Sequence, residues 1–275
     1  MGSADTERMY MCIDLKSFYA SVECADLGVD PFTTPLVVAD NSRGKGAITL
    51  AISPALKKLG VKNRSRLFQI PSHIEYITVK PHMKRYMQAS AQIYGTLLNY
   101  ISPEDIHVYS IDEYFIDITP YTNLYKKTPR QLAQFLLGAV LDATHIYATV
   151  GIGTNLFLAK IALDILAKHA PDFIGYLDES LFKEQIWHHQ PITDIWQIGS
   201  GIANRLRKFG AFDLHGITQV PEHKLYKEFG VNAELLIDHA WGRESCTIAD
   251  IHAYRPSKHS LSQSQILLRN YTADE

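Results

Sequence analysis

Three carboxylates stand out by where they fall. Asp14 closes a short apolar run, Met9 to Asp14, and Asp112 and Glu113 lie between two further apolar runs much later in the chain. An acid at the end of a buried run is costly to leave unpaired. Acids held close together also raise one another's pKa unless a cation neutralises them. Oxygen-only donors suit Mg²⁺ or Mn²⁺ rather than zinc. Two such ions, about 3.5–4 Å apart, can activate an attacking hydroxyl and steady a leaving oxygen, which is the chemistry of nucleotidyl transfer. Each acid taken singly reads better as a turn or strand-end residue, so the case rests on the three meeting.

Basic residues come in two groups. Arg43, Lys45, Lys57, Lys58, Lys62, Arg64 and Arg66 occur between Asn41 and Phe68 with no acid among them, and Arg205, Arg207 and Lys208 lie on an expected helix. Either group alone reads equally well as solvated surface. Gly199-Ser-Gly201 ahead of Ile202 to Phe209 offers backbone N–H groups at a helix start, a geometry that holds a phosphate without reading sequence. His188 and His189 read as capping or packing residues, because no third ligand is spaced nearby.

The elements that must position these groups follow from periodicity. Met9 to Asp14 reads as a buried strand. Met83, Tyr86, Met87, Ser90, Ile93, Tyr94, Leu97, Leu98 and Ile101 form one apolar helical stripe, with Pro103 beyond its end. Ile106–Ile111 and Tyr114–Ile118 read as strands, with Asp112 and Glu113 at the turn between them. Thr128-Pro129 opens a helix with the stripe Leu132, Phe135, Leu136, Ala139 and Val140. Tyr147–Ile152 is a last strand, and Asn155–Lys168 a largely apolar helix. Strand, helix, strand, strand, helix, strand is the split βαβ, ferredoxin-like order. In that fold the first strand neighbours the central hairpin, so Asp14 would meet Asp112 and Glu113 on a sheet face left open by the two helices. The proline-punctuated segment to about His82 reads as an inserted subdomain, and short helical pieces from Pro171 to Gly242 as a small helical domain.

Composition is that of a folded chain: 46% hydrophobic and 20% charged among 275 residues. No run of 18 apolar residues is present, so no membrane span is expected. Three scattered cysteines, Cys12, Cys24 and Cys246, argue against a disulfide framework or zinc knuckle and fit a reducing, cytoplasmic setting. The net charge of −2 counts mildly against nucleic-acid binding, although distribution matters more than the sum.

Four segments carry a resemblance. Cys12-Ile-Asp-Leu-Lys-Ser-Phe-Tyr-Ala20 resembles the first motif of the Y-family (translesion) DNA polymerases, and Tyr109-Ser-Ile-Asp-Glu113 their second. Thr149-Val-Gly-Ile-Gly-Thr-Asn155 with Leu158-Ala-Lys-Ile-Ala162 is similar to the third. Ile192-Thr-Asp-Ile-Trp-Gln-Ile-Gly-Ser-Gly201 resembles the thumb helix-hairpin-helix. Leu50 to Val61 with Ser65-Arg-Leu-Phe68 is most similar to the branch carried by Gram-positive bacteria and their mobile elements, an SOS-type branch.

The resemblance implies an α+β fold: a ferredoxin-like palm (8–21 and 82–170), inserted fingers (22–81) and a helical thumb (171–242). Residues 243–275 would be a linker and the start of a truncated little finger domain. It implies that Asp14, Asp112 and Glu113, with the carbonyl of Leu15, ligate two Mg²⁺ ions (Mn²⁺ as a substitute). Tyr19 would be the steric gate against a 2′-hydroxyl, and Phe18 would cradle the triphosphate. Lys168 would reach the triphosphate, although one more residue separates it from Ala159-Lys160 than in many relatives. Ser53-Pro54 and Lys57 stand near positions where many relatives place a Tyr and an Arg, and lysine lacks the bidentate fork. Gly199, Gly201 and Arg205 would meet DNA. The implied partners are primer-template DNA, dNTP and, through the missing C-terminal part, a sliding clamp. The implied location is cytoplasmic and nucleoid-associated.

The implied activity is low-fidelity, template-directed DNA synthesis, and the chain alone is expected to be a weak polymerase. Gln263 to Leu268 has a distant likeness to a clamp-binding peptide but reads better as a first strand of the next domain. Two other classes share the topology. A nucleotidyl cyclase would not need the Gly199-Ser-Gly201 element or the basic segment. An RNA-binding module would carry exposed aromatics where Tyr114-Phe-Ile-Asp-Ile118 stands.

Overall fold

The computed structural model describes residues 8–256, 260–262 and 272. The strand read at Ile266–Leu268, and the peptide beginning at Gln263, lie outside the described residues. In chain order the elements are β1 (Tyr10–Leu15), α1 (Phe18–Leu27), β2 (Leu36–Val38), β3 (Ala51–Ile52), α2 (Pro54–Lys58), β4 (Ile77–Val79), α3 (Met83–Leu98), β5 (Ile106–Val108), β6 (Glu113–Asp117), α4 (Thr119–Tyr125), α5 (Pro129–Thr144), β7 (Ala148–Gly153) and α6 (Leu156–Ile161). A π-helical turn, Ala162–Ala167, continues α6. Then follow β8 (Ile174–Leu177), α7 (Glu179–Gln185), α8 (Ser200–Arg207), α9 (Leu214–Thr218), α10 (Glu222–Phe229), α11 (Asn232–Ala240) and α12 (Ile248–Ala253). The described chain divides into two compact units: residues 8–16 with Met87–His252, and Ser17–Tyr86 with the described residues from Ala253 on.

The larger unit is built on a five-stranded sheet, ordered β5-β6-β1-β7-β8. β1, β5, β6 and β7 are antiparallel neighbours in the split βαβ order expected from the sequence. β1 takes the centre because every residue of its run except Asp14 is apolar and buried. The β5–β6 connection is longer than the sequence suggests, spanning Tyr109 to Asp112, with Glu113 already the first residue of β6. β5 stops at Val108, and the N–H groups of Tyr109 and Ser110 both donate to the Glu113 carbonyl (3.0 and 3.1 Å). The helical stripe of α3 is also narrower than expected: Tyr86, Ala89, Ile93 and Leu97 are buried, while Met87 is 62% exposed. α5 begins as its sequence dictates. Thr128 accepts from Gln131 N–H, the Gln131 side chain accepts from Thr128 N–H, and Pro129 fills the first turn. Thr128→Ala is expected to cost about 1 kcal/mol, read as a lower urea midpoint at an unchanged slope.

Two expectations fail. The second face of the sheet is not open, because α6 and the π turn lie across it. Leu156, Ala159, Leu163 and Ala167 pack with Tyr10, Cys12, Phe115 and Ile248 of α12. Glycines make that approach possible. A Cβ on Gly151 would stand 2.0 Å from the Ala159 carbonyl oxygen, one on Gly153 2.2 Å from Ala159 N, and one on Gly175 2.4 Å from the Ala162 carbonyl oxygen. The sheet also does not end near Ala170: Ile174–Leu177 forms β8, parallel to β7. Beyond β8, α7 to α11 gather around Phe157, Phe182, Leu206, Leu214 and Leu225.

The smaller unit has a three-stranded sheet, β3-β2-β4, with Val37, Ile52, Leu56 and Ile70 inside. Arg43, Lys45, Lys57, Lys58, Lys62, Arg64 and Arg66 are all exposed on it. Cys12 and Cys24 are buried free thiols, and Cys246 is half-buried. Among the described residues, no helix is long and apolar enough to cross a membrane.

Candidate active site

Strand register brings the first and second acid together. Asp14 on β1 lies directly opposite Glu113 on β6, and Asp112 immediately precedes it. Directly opposed residues of an antiparallel pair share one face with Cβ atoms about 4.5–5.5 Å apart. The backbone is pinned at the same corner, where Leu15 N–H donates to the Asp112 carbonyl (2.9 Å). On the other side of β1, Thr149 Oγ1 donates to the Asp14 carbonyl (3.3 Å).

Each acid keeps oxygen to offer. Glu113 takes both of its protein bonds on Oε1, from Lys160 Nζ (2.7 Å) and Cys12 Sγ (3.2 Å). Asp112 accepts Ser110 Oγ on Oδ1 (2.7 Å). Among the described residues, burial and neighbouring charges are what perturb Asp14. Burial first, then the Asp112 and Glu113 charges, push its pKa up to about 7, while Lys168 and Lys160 pull it down. A carboxyl in that condition is one that a cation would ionise. Oxygen donors at this corner fit Mg²⁺ or Mn²⁺.

Two lysines balance part of the charge. Lys160, on α6, is buried and spans Glu113 and Asp164 (3.0 Å to Oδ2). Burial alone would lower its pKa, yet the surrounding Cys12, Asp164 and Glu113 outweigh burial and raise it. Lys168 meets Asp164 Oδ1 at 3.0 Å. Four carboxylates thus face two ammonium groups, an excess of negative charge suited to divalent cations. A π turn, Ala162–Ala167, lies between Lys160 and Lys168, and a single π turn adds one residue to the course of an α-helix. Lys168 and Asp164 are four residues apart and pair across the end of the π turn. Lys160 and Asp164 were missed by sequence reasoning. The signal was there: a lysine inside an otherwise apolar helix must find a partner.

The acids are adjacent without closing on a common centre. Among the described residues, the one group of three His, Cys, Asp or Glu side chains with ligand atoms all within 4.8 Å is His188, Asp213 and His215.

The other candidates are placed as follows. In the smaller unit, Tyr19 stacks on Tyr86 (centroids 4.5 Å, 23°). Tyr86 donates its hydroxyl hydrogen to the buried Glu23 (2.5 Å), which also meets His82 Nδ1 at 2.9 Å. The Tyr19 ring therefore rests on a fixed support. Phe18 is 3% exposed and packs in the core, so its ring is not presented to a ligand. Ser53 is fully buried and caps α2, its hydroxyl donating to the Thr34 carbonyl (2.8 Å) and accepting from Leu36 N–H (2.9 Å). Lys57 is exposed on the same short helix. Gly199 and Gly201 stand exposed at the start of α8, and a Cβ at either would meet nothing within 4 Å. Arg205 is turned inward, with its guanidinium over the Phe229 ring (4.3 Å) and donating to the Glu228 carbonyl (3.1 Å).

Known proteins resemble this chain along most of its length. A protein from Bacillus subtilis named for UV-damage repair, UvrX, is 34% identical over 267 residues, covering 96% of this chain and 62% of its own. DNA polymerase IV 2 of the same organism is 34% identical over 233 residues, covering 84% of this chain and 55% of its own. The chain thus spans about three fifths of the curated relatives' length. Among solved structures, a Y-family DNA polymerase chimera of Dbh and Dpo4 segments superposes with a TM-score of 0.73 at 27% identity, over 87% of this chain and 69% of that one. The α+β palm fold is therefore that of the Y-family polymerases. The impB/mucB/samB family model matches residues 13–164. Because that span opens one residue before Asp14 and closes on Asp164, every carboxylate of the corner lies inside it, and the chain belongs to the impB/mucB/samB family.

Proposed function

We propose that this chain is the palm, fingers and thumb of a template-directed DNA polymerase of the translesion type, which joins a dNTP to a primer 3′-hydroxyl. The observation that carries the reading is the register pair Asp14–Glu113, with Asp112 beside it at the hairpin corner. In this reading the palm comprises 8–21 and 82–170, extended by β8 to Leu177, the fingers 22–81, and the thumb the helices up to Gly242. Asp14, Asp112 and Glu113, with the Leu15 carbonyl, would hold two Mg²⁺ ions, which supply Lewis acidity to the primer hydroxyl and the departing pyrophosphate. Lys160 fixes Glu113 through Oε1 and keeps Oε2 turned away from that pair. Lys168 brings a positive charge to the same corner, where a triphosphate would meet it. Gly199 and Gly201 let a DNA phosphate approach the N–H groups of α8 closely. The exposed basic segment from Arg43 to Arg66 supplies sequence-independent attraction for nucleic acid. Arg205 serves the thumb's own packing rather than DNA. The names of the relatives support DNA repair and polymerase activity over a cyclase.

The experiment is single-nucleotide extension of a primed template, with enzyme in excess and at low salt so that weak DNA binding does not limit the readout. Extension that requires template, dNTP and Mg²⁺ is expected. Conversion of NTP to a cyclic product without DNA would replace this reading with the cyclase.

Tyr19 is the proposed gate. Tyr19→Ala is expected to lower the dNTP-over-rNTP ratio of kcat/KM by up to about 10²-fold, the scale at which a pocket rejects one added hydroxyl. An unchanged ratio would leave Tyr19 as packing for Tyr86.

A further inference from the structure

A second constellation lies among the thumb helices, away from the carboxylate corner. His188 follows α7, Asp213 caps α9, and His215 lies in the first turn of α9. Read along the sequence, His188 lacks a third ligand; the fold supplies two from 25 residues further on. One ligand atom from each of the three lies within 4.8 Å of the others. His188 Nδ1 is 3.1 Å from Asp213 Oδ2, and the two imidazole centroids are 4.8 Å apart.

The support under these donors is rigid. His215 N–H donates to the Trp187 carbonyl (3.0 Å), which fastens the two segments at the backbone. The His215 ring meets the Trp187 ring edge-on at 4.8 Å, and Trp187 Nε1 donates to the Ala240 carbonyl (2.8 Å). Asp213 uses Oδ1 to accept Gly216 N–H (2.6 Å), so Oδ2 stays on the side of the histidines. Leu214, between the two α9 donors, is 1% exposed in the thumb core. Donors whose backbones and ring planes are already held lose little freedom when they bind.

We propose that His188, Asp213 and His215 form a Zn²⁺ site that staples the segment after α7 to α9. Two imidazole nitrogens and one carboxylate oxygen are a donor set for zinc, with water in the fourth tetrahedral position on the exposed His188 side. The same set is poor for Mg²⁺, which takes oxygen ligands, so this site is chemically distinct from the carboxylate corner. Binding displaces the His188–Asp213 hydrogen bond and replaces it with two metal bonds. The proposal does not depend on the polymerase reading.

The test uses the whole chain, with Mg²⁺ in large excess to occupy the carboxylate corner, titrated with Zn²⁺ by calorimetry and with Co²⁺ by visible absorption. One equivalent of Zn²⁺ and the intense bands of tetrahedral Co²⁺ are expected, with a rise in Tm on Zn²⁺ addition. His188→Gln alters an exposed ring and should leave the metal-free Tm unchanged while weakening Zn²⁺ binding roughly tenfold or more. His215→Gln should do the same to binding, while Asp112→Asn should leave it unaltered. The proposal fails if the folded wild-type chain shows no saturable Zn²⁺ binding. It fails equally if His188→Gln binds as tightly as wild type, or if Asp112→Asn is the variant that loses the ion.

Discussion

Asp112→Ala is expected to lower the rate of primer extension by on the order of 10³-fold or more, about 4 kcal/mol of transition-state stabilisation. Asp112 is half-buried in the turn between β5 and β6, and among the described residues its side-chain bond is to Ser110 Oγ. Removing that one short-range bond from a half-buried turn changes stability little, so the loss would be catalytic. Asp112→Asn makes the distinction sharp. The amide retains an oxygen for Ser110 but carries no charge for a divalent cation. Both variants should share the wild-type Tm within a few degrees and both should be nearly inactive in single-turnover extension. Undiminished extension by either would remove Asp112 from the ligand set and, with it, the two-ion reading of the corner.

The second large effect is structural. Gly151→Ala should destabilise the fold by about 3 kcal/mol or more, at the upper end for overpacking, because the new Cβ would meet backbone rather than a movable side chain. It would stand 2.0 Å from the Ala159 carbonyl oxygen and 2.2 Å from Leu163 N. To relieve that, α6 and the π turn must lift off β7, which carries Lys160 away from Glu113. Extension activity should therefore fall even in whatever fraction remains folded. Gly138→Ala is the control: on α5 an added Cβ meets nothing within 4 Å. There the exchange should be neutral or stabilising by up to about 1 kcal/mol, since alanine favours helix over glycine. Urea midpoints of the two variants decide the matter, and similar midpoints would mean the helix yields more readily than its backbone contacts imply.

Much of the corner could be read from residue order. The apolar run from Met9 closed by Asp14 reads as a buried strand with an acid to account for, and the strand forms over Tyr10–Leu15. Thr128-Pro129 reads as an N-cap followed by proline, and Thr128 does cap α5, where Gln131 completes a capping box. A hairpin near Asp112-Glu113 followed from apolar runs on both sides, but the connection falls at Tyr109–Asp112 and Glu113 is the first residue of β6. Other parts were hidden for identifiable reasons. Ile174–Leu177 is a strand of four residues with a glycine inside it, a weak signal whose meaning is the close passage of the π turn. Met87 belongs to a helical stripe by spacing, yet the stripe that the sheet covers is narrower. His188 found its neighbours only through a backbone bond between Trp187 and His215.

Local chemistry, then, was enough to name the strand, the hairpin, the caps and the acids, because periodicity and turn preference act between residues a few positions apart. It could not say that α6 lies across the second sheet face, that Lys160 and Asp164 join the acids there, or that two histidines share an aspartate among the helices after β8. Those facts depend on segments remote in the chain being pressed together by burial of apolar surface. That force has no direction along the sequence, and its outcome exists only in three dimensions.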